Sequence, residues 1–237
     1  MTSGDTKLYE GKAKILYETD DPDLLRQVFK DAATAFDGIK KGTIRNKGIV
    51  NNRISVRLFT LLREHGIDSH FVRQLADNAM LVRRVAIVPV EVVVRNISTG
   101  SLCRRYGLVE GRTFAEPIVE LYYKNDELHD PLMNDDHVLA LQLASRAEIA
   151  RMKTEARRIN AILQEFFDAR GIRLVDFKLE FGRYHGELLL ADEISPDTCR
   201  FWEKESNRRL DKDRFRHDLG DVEQTYQEML QRITEQS

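Results

Sequence analysis

The clearest pattern of hydrophobic and polar positions lies around residue 180, in the stretch GIRLVDFKLEFGRYHGELLLADEISPD that begins at Gly171. From residue 174 to residue 181 the chain alternates with a period of two, as expected for a strand with one buried face. A second apolar run, residues 187–194, follows the glycine-bounded segment GRYHG. The two runs are therefore predicted to be paired antiparallel strands, joined by a turn at residues 182–186.

Charged residues gather on one face of this predicted hairpin. The alternation places Leu174, Asp176, Lys178 and Glu180 on one face of the first strand, and Val175, Phe177, Leu179 and Phe181 on the other. The second run ends in Asp192 and Glu193. Because neighbouring strands lie about 4.8 Å apart, carboxylates from both strands can converge on a divalent cation such as Mg²⁺ above nucleotide phosphates, with Lys178 between them. The alternative is a solvated strand face held by salt bridges, which is the commoner arrangement in charged hairpins.

The N-terminal part is predicted to contain strands followed by one helix. Residues 7–19 alternate as a hairpin that turns at Gly11, with Lys12 and Lys14 on one face. These lysines can lie over phosphates, although a solvated strand face is the alternative and the chain has no Walker A pattern. A short helix or loop is predicted from Asp20 to residue 29, and a strand end with a mobile loop over residues 31–47. Residues 48–65 have helical spacing, which Gly66 ends.

A proline marks the predicted boundary between two lobes. Residues 71–94 are rich in β-forming side chains, with a turn at Asp77-Asn78, and Pro89 interrupts the second run. Since proline cannot donate to a strand ladder, the chain is predicted to cross between two sheets there, giving domains at residues 1–88 and 89–237. Backbone groups from Ala86 to Val88 are candidates to hold an adenine at this hinge.

After this boundary the sequence predicts an anion site and two further helices. The strand that ends near Arg95 is followed by Ser98-Thr-Gly-Ser101, and a guanidinium beside small hydroxyl residues suits a phosphate. An N-capping turn before Leu102 is an equally good interpretation. The capping box that starts at Ser145 opens a helix to residue 169, and residues 221–233 form a last amphipathic helix.

Composition and charge narrow the classes of function. The 237 residues carry a net charge of −2, with 42% hydrophobic and 32% charged residues, which argues against nucleic acid or an anionic membrane as the main partner. Cys103 and Cys199 form no C-x-x-C, and no H-E-x-x-H occurs, so neither a disulfide framework nor a zinc site is indicated. No run approaches the ~20 apolar residues of a membrane span, and no signal-peptide core is evident, so a cytoplasmic protein is expected.

Six motifs, in this order, resemble one known family. They are YEGKAK, VPVEVVVRN-x-x-x-GS, KND followed by HDP, LVDFKLEFG, DE-x-SPD and DKDRFR, and they span nearly the whole chain. Together they resemble the SAICAR synthetase (phosphoribosylaminoimidazole-succinocarboxamide synthase) family of purine biosynthesis. The resemblance implies an α+β, ATP-grasp-like fold with a small β-rich N-terminal lobe and a larger α/β lobe that carries C-terminal helices. It also implies a ligase that joins the carboxylate of the ribonucleotide CAIR to the amine of L-aspartate, giving SAICAR, ADP and phosphate.

The resemblance further implies a cofactor, partners and residue roles. Mg²⁺ would be the cofactor and ATP a co-substrate, and a homo-oligomer is expected. The nucleotide contacts would come from Lys12, Lys14, Lys124 and Asp130, the metal carboxylates from Glu180 and Asp192, and the CAIR phosphoribosyl anchors from Arg95, Ser101 and Arg200. Lys178 would lie beside the transferred phosphoryl group. Asp37 matches a mobile, substrate-facing segment, although Phe36 departs from the SAGDG that bacterial members commonly have.

The residue types also suit this chemistry on their own. A carboxylate is a poor acyl donor until it is phosphorylated, so the catalyst chiefly needs cations and positioning rather than a Ser or Cys nucleophile. Two alternatives are a nucleotide-binding regulator without turnover and an RNA-binding protein that uses arginine doublets such as Arg83-Arg84. The acidic balance disfavours the second.

Overall fold

The computed structural model describes residues 6–35 and 39–235. The strands in these ranges are β1 Lys7–Glu10, β2 Lys14–Glu18, β3 Leu24–Phe29, β4 Ala32–Ala35, β5 Lys40–Thr43, β6 Phe71–Ala76, β7 Ala79–Arg83, β8 Ala86–Ile97, β9 Thr113–Tyr123, β10 Leu132–Met133, β11 Ile172–Tyr184, β12 Glu187–Ala191 and β13 Cys199–Glu203. The helices are α1 Lys47–Glu64, α2 Gly100–Tyr106, α3 Asp135–Ala140, α4 Arg146–Asp168, α5 Asp213–Arg216 and α6 Val222–Thr234, with a 3₁₀ turn at Asp126–Leu128. Strands and helices are mixed as the α+β prediction requires.

The first sheet has the antiparallel order β1-β2-β3-β7-β6. Its first two strands confirm the hairpin predicted over residues 7–19. The helix or loop predicted up to residue 29 is wrong, because Leu24–Phe29 is a strand. Leu25, Gln27 and Phe29 are buried at alternate positions, and β3 is hydrogen bonded to β2 on one side and β7 on the other. This central position in the sheet outweighs the local turn signal at Asp20.

Residues 31–47 are more regular than the predicted strand end and loop. Strands β4 and β5 pair as a separate two-stranded sheet. The Asp31 carboxylate accepts hydrogen bonds from the backbone N–H groups of Asn46 and Gly48, at 3.1 and 2.9 Å, and thereby fastens this segment to the start of α1. Asp37, the catalytic candidate here, lies outside the described residues.

The second sheet has the order β10-β9-β8-β11-β12, and β13 pairs with the first half of β11. Strand β11 is therefore flanked by β8 along one edge, and by β13 and then β12 along the other. Helix α4 packs against β8, β9 and β11, with its apolar stripe in the main core. The predicted hairpin is confirmed, but β11 continues to Tyr184, so the turn is shorter than residues 182–186.

Two local predictions are corrected by strand pairing. Pro89 does not separate the sheets, because it lies within β8, and the chain changes sheets between β7 and β8 at residues 84–85.

The alternation predicted for the strand that is now β11 is broken at its start. Leu174 pairs with Phe201, and the next pair joins Asp176 to Arg200, which leaves Val175 as a β-bulge. Consequently Leu174 packs in the main core, while Val175 joins a small cluster with Ile97 and Trp202.

The predicted helices at residues 48–65, 145–169 and 221–233 are confirmed as α1, α4 and α6. The capping box is present, since Ser145 and Glu148 each accept a hydrogen bond from the other's backbone N–H. Thr99 occupies the N-cap position of α2 without a side-chain cap bond, so the hydroxyl residues there do not serve as that cap. Within the described ranges, no helix combines the length and apolar character needed to cross a membrane.

Candidate active site

A cleft of about 1070 Å³ lies between the two sheets. The β1–β2 hairpin contributes one wall, and β8, β11 and β13 contribute the opposite one. Lys12 reaches across and donates to Asp126 Oδ1 at 2.7 Å, just after β9. Lys14 crosses in the same way and pairs with Asp192, beyond the end of β12. Charged side chains therefore link the two sheets over the cleft.

Strand register brings distant charged residues together on the cleft face. Asp176 lies opposite Arg95 of β8 and also opposite Arg200 of β13. Because side chains two residues apart point the same way, Lys178 and Glu180 follow Asp176 along this face. All five residues line the cleft. Strand β11 is thus the element that carries the site.

One end of the cleft is a lysine–carboxylate network. Lys178 Nζ donates to Glu91 Oε1 and Glu180 Oε1, both at 2.8 Å, and lies 3.7 Å from Asp192 Oδ2. Lys124 Nζ donates to the same Glu180 oxygen at 2.7 Å. Burial opposes ionisation of both main partners, but the opposite charges outweigh it. They raise the pKa of Lys178 and hold the pKa of Glu180 well below its usual range, so both groups stay charged.

Glu180 and Asp192 fit Mg²⁺ when phosphate oxygens complete the ligand set. Both carboxylates border Lys178, and Asp192 has a left-handed φ of +63° that turns the chain after β12. Next to it, buried Glu193 Oε2 receives no hydrogen bond from a described residue. The described residues hold no group of three or more His, Cys, Asp or Glu arranged for a metal. Since Mg²⁺ commonly takes one or two carboxylates together with substrate phosphates, this donor set suits it only with a nucleotide.

Arg95 is the centre of the other end. It is only 3% exposed, and its Nε and Nη1 donate to Glu120 Oε2 and Asp176 Oδ2 at 2.5 and 2.9 Å. Its Nη2 donates to the hydroxyl oxygens of Ser101 and Tyr122, both at 3.1 Å. Burial lowers the affinity of this guanidinium for its proton, but Asp176 and Glu120 reverse the effect and raise its pKa. Arg95 is therefore held rigidly by carboxylates on both sides.

Arg200 is more accessible and shares the same carboxylate. Its Nη1 donates to Asp176 Oδ2 at 2.9 Å, and its Nε donates to Asp213 Oδ2 at 2.8 Å. Its Nη2 has no acceptor among the described residues, and it lies 2.9 Å from where a Cβ on Gly100 would be. Gly100 also has a φ of +56°, so both the backbone and the space require glycine here.

A third group of charges, the Asp197 cluster, consists of Lys47, Asp197, Lys212 and Tyr226. Lys47 Nζ donates to Asp197 Oδ2 at 2.7 Å, and the Tyr226 hydroxyl donates to Oδ1 at 2.8 Å. Lys212 Nζ lies 3.7 Å from Oδ2. Burial opposes ionisation of Asp197, but Lys212 and Lys47 outweigh it and hold its pKa well below the usual 3.8. This cluster ties α1 and α6 to the turn that precedes β13.

Comparison with known proteins identifies the family. The SAICAR synthetase family model matches residues 7–233. The chain belongs to the SAICAR synthetase family. It is 58% identical to phosphoribosylaminoimidazole-succinocarboxamide synthase of Chlorobaculum parvum, with 98% of each chain covered. It resembles the crystal structure of that synthase from Ehrlichia chaffeensis with a TM-score of 0.95 and 46% identity, covering 98% and 99% of the two chains. A SAICAR synthetase in complex with ADP gives a TM-score of 0.93 at 52% identity, covering 95% and 97%. These relatives confirm the predicted enzyme class.

The cleft gathers most of the residues expected from the resemblance to SAICAR synthetases. It is lined by Lys12, Lys14, Arg95, Lys124, Asp130, Lys178, Glu180, Asp192 and Arg200. Ser101 reaches the site through its contact with Arg95. The hinge differs in detail, because Ala86 is exposed, Val88 is buried in the core, and Ile87 between them lines the cleft. The individual roles of these residues remain predictions.

The sequence alone assigned no role to several residues that shape this site. They are Lys47, Glu91, Glu120, Asp197, Lys212 and Arg216. Asp197 lies in the SPD motif, and Lys212 and Arg216 lie in DKDRFR, so a signal for them was available. Asp176 was expected among the carboxylates that converge on a cation, and the structure shows that it accepts hydrogen bonds from Arg95 and Arg200. Glu91 and Glu120 face the site only through register with β11 and β8. Nothing local in the sequence marks Lys47 as a buried cation.

Proposed function

We propose that this chain is an ATP-dependent ligase of purine biosynthesis that joins the carboxylate of CAIR to the amine of L-aspartate, giving SAICAR, ADP and phosphate. The observation that supports this proposal is that one cleft holds both groups of charged residues. At one end Lys14, Lys124 and Lys178 lie around Glu180 and Asp192, and at the other Arg95 and Arg200 share a carboxylate. Family membership and the ADP complex of a 52% identical relative support a nucleotide substrate, which we assign to the lysine end.

The nucleotide is assigned to the side of the cleft near the β1–β2 hairpin. Lys12, Lys14 and Lys124 would bind its phosphates, exchanging their present carboxylate partners for phosphoryl oxygens. Asp130 accepts the backbone N–H of Asn125 at 2.8 Å and so shapes the loop beside Lys124. The backbone of residues 86–88 would meet the adenine. Glu180 and Asp192 would hold Mg²⁺, which when bound neutralises phosphate charge.

CAIR is assigned to the floor of the cleft along β11. Arg200 has a free Nη2 group, and Ser101 lies beside Arg95, so these three residues would anchor the phosphoribosyl phosphate. The carboxylate of CAIR would then lie toward Lys178. Since Asp176 accepts from both arginines, it would keep the two guanidinium groups at a fixed separation.

The reaction is proposed to take two steps. An oxygen of the CAIR carboxylate attacks the γ-phosphorus, forming an acyl phosphate and releasing ADP, while Lys178 stays beside the transferred group. The aspartate amine then attacks the acyl carbon, the C–O bond to the phosphate breaks, and the amine loses a proton. Asp37 is assigned to the substrate side of this step. Catalysis would rest on positioning and preorganised positive charge.

The remaining expectations complete the proposal. We describe the fold as ATP-grasp-like. We divide it into residues 1–88, as the ATP-binding lobe, and residues 89–237, with the metal, CAIR and aspartate sites. The two sheets that face the cleft support two lobes, although the chain changes sheets slightly earlier, at residues 84–85. We also expect a cytoplasmic homo-oligomer.

The test is an ADP-release assay in which CAIR and aspartate are omitted in turn, followed by isotope tracing. CAIR labelled with ¹⁸O in its carboxylate should yield inorganic phosphate with a single ¹⁸O by mass spectrometry. ADP release independent of CAIR would contradict the ligase. Unlabelled phosphate, from CAIR shown to retain its label, would instead reject the acyl phosphate. Nucleotide binding without turnover would indicate a regulator.

A further inference from the structure

Gln27 is a buried polar residue in the wall of the cleft. The residue is only 3% exposed and lines the cleft, and its Nε2 has no hydrogen-bond partner among the described residues. Glu193, the other cleft residue with such an atom, has its Oε2 only 3.5 Å from Lys14 Nζ, so an opposite charge compensates it. An amide donor that is buried without a partner destabilises the protein. A ligand in the cleft can supply the partner that the fold does not.

Strand register separates Gln27 from the charged end of the cleft. In the pairing of β2 with β3, Lys14 lies opposite Phe29, and Leu16 lies opposite Gln27. Residues two apart on a strand share a face and are about 7 Å apart, so Gln27 lies one such step from the row that holds Lys14. Lys14 is one of the cations assigned to the phosphates, and a neutral amide adds no charge for them. Gln27 therefore faces a different part of the nucleotide.

The side chains around Gln27 suit a flat base. Leu16, Leu25 and Val82 line the same wall, and Leu25 pairs with Val82 two residues before Gln27. Ile87, in the segment assigned to the adenine, also lines the cleft. Apolar side chains of this kind cover the faces of a base, and the few polar groups among them hydrogen bond to its edges and fix its orientation. The Gln27 amide has that position.

We propose that the Gln27 amide hydrogen bonds to the N6/N7 edge of adenine and so helps the enzyme to select ATP over GTP. This inference rests on the proposed ligase function and names a specificity-determining contact within its nucleotide site. An amide presents one donor and one acceptor side by side, which match N7 and the N6 amino group of adenine. Guanine presents two acceptors, N7 and O6, along the same edge, so one amide atom would lose its partner. A buried polar group that the wrong substrate leaves unpaired discriminates strongly.

The first test combines Gln27→Met with a change in the ligand. Methionine keeps the length of the side chain but lacks the amide, and 7-deaza-ADP lacks the N7 acceptor. In calorimetry, the wild type should bind 7-deaza-ADP about three- to tenfold more weakly than ADP, the usual value of one hydrogen bond. Gln27→Met should bind the two ligands equally, within about twofold. The same ratio in both proteins would overturn the inference, whereas a wild type that binds no ADP would refute the proposed function.

Substrate choice and stability provide two further readouts. The ratio of kcat/KM for ATP to that for GTP should fall about tenfold in Gln27→Met. It should not change in Gln74→Met, the matched control, because Gln74 is exposed on β6 of the same sheet and does not line the cleft. Since Gln27→Met removes an unpaired buried donor, the midpoint of urea unfolding without nucleotide should not fall. A lower midpoint with an unchanged preference for ATP would make Gln27 structural and overturn the inference, as would a wild type that uses GTP as well as ATP.

Discussion

Lys47 is the best position at which to measure how buried charge stabilises this fold. Its side chain is fully buried, and its Nζ lies 2.7 Å from Asp197 Oδ2, which joins the start of α1 to the turn before β13. Lys47→Met retains an apolar stem of similar length but removes the ammonium. Asp197 would then keep only Lys212 at 3.7 Å and the Tyr226 hydroxyl.

The expected loss follows from the partner that remains. Removing one member of a buried ion pair costs about 3–5 kcal/mol, because the other charge stays buried without its partner. Since Lys212 still faces Asp197, we expect the lower end, about 3 kcal/mol in the free energy of unfolding. With a urea m-value of about 3 kcal/mol/M, the midpoint should fall by about 1 M. Lys40→Met is the matched control, because its partner Asp218 is 85% exposed, and it should cost less than about 1 kcal/mol.

The assay is urea unfolding followed by circular dichroism at pH 7. A carboxyl whose folded-state pKa is lowered stabilises the fold above its unfolded pKa, and that contribution is lost as the pH falls through the folded value. For Asp197, whose usual pKa is 3.8, the full contribution is present at pH 7. If Lys47→Met shifts the midpoint no more than Lys40→Met does, the pair does not stabilise the fold and this reasoning is refuted.

Two further predictions concern the two ends of the cleft. Asp192→Asn keeps a residue type that tolerates φ near +63°, so the melting temperature should move by less than about 4 °C. Turnover in the ADP assay should fall about a hundredfold or more. Near-normal turnover would reject the metal assignment. Gly100→Ala places a Cβ 2.9 Å from Arg200 Nη2, whereas Gly107→Ala has the same backbone problem, φ +65°, with no atom within 4 Å. Both variants should lose about 1 kcal/mol of stability, but only Gly100→Ala should raise the KM for CAIR. Equal KM values for CAIR in the two variants would show that Arg200 does not anchor CAIR.

Elements with local signals were predictable from the sequence. The capping box at Ser145 and the apolar stripe behind it suffice to locate α4, and the glycine-bounded alternation around residue 180 locates the β11–β12 hairpin. Strand β3 was missed because its alternating burial depends on two neighbouring strands that its own residues do not reveal. The bulge at Val175 was missed for a similar reason, since only pairing with β13 shows it.

The residues of the candidate site that belong to sequence motifs were predictable. The residues that reach the site only through strand pairing were not. Lys178, Glu180 and Asp192 follow from strand period and the resemblance together. Arg95 donates hydrogen bonds to Glu120 on one side and to Asp176 on the other. These contacts depend on the register of three strands that lie far apart in the chain. The Lys47–Asp197 contact spans 150 positions between a helix and a turn. No periodic pattern encodes such contacts.

The regular pairing of β11 with β8 fixes the distance between the two ends of the cleft and thereby limits the length of the substrate that can reach both. Residue pairs run without interruption from Asp176–Arg95 to Glu180–Glu91, and the irregularities lie outside this interval. Four residues at about 3.4 Å each separate the two ends by about 14 Å. In the proposed reaction, a ribonucleotide whose phosphate and carboxylate are spaced differently could occupy one end but not both. Evolution could alter this spacing only in steps of two residues, because a step of one turns every following side chain away from the cleft.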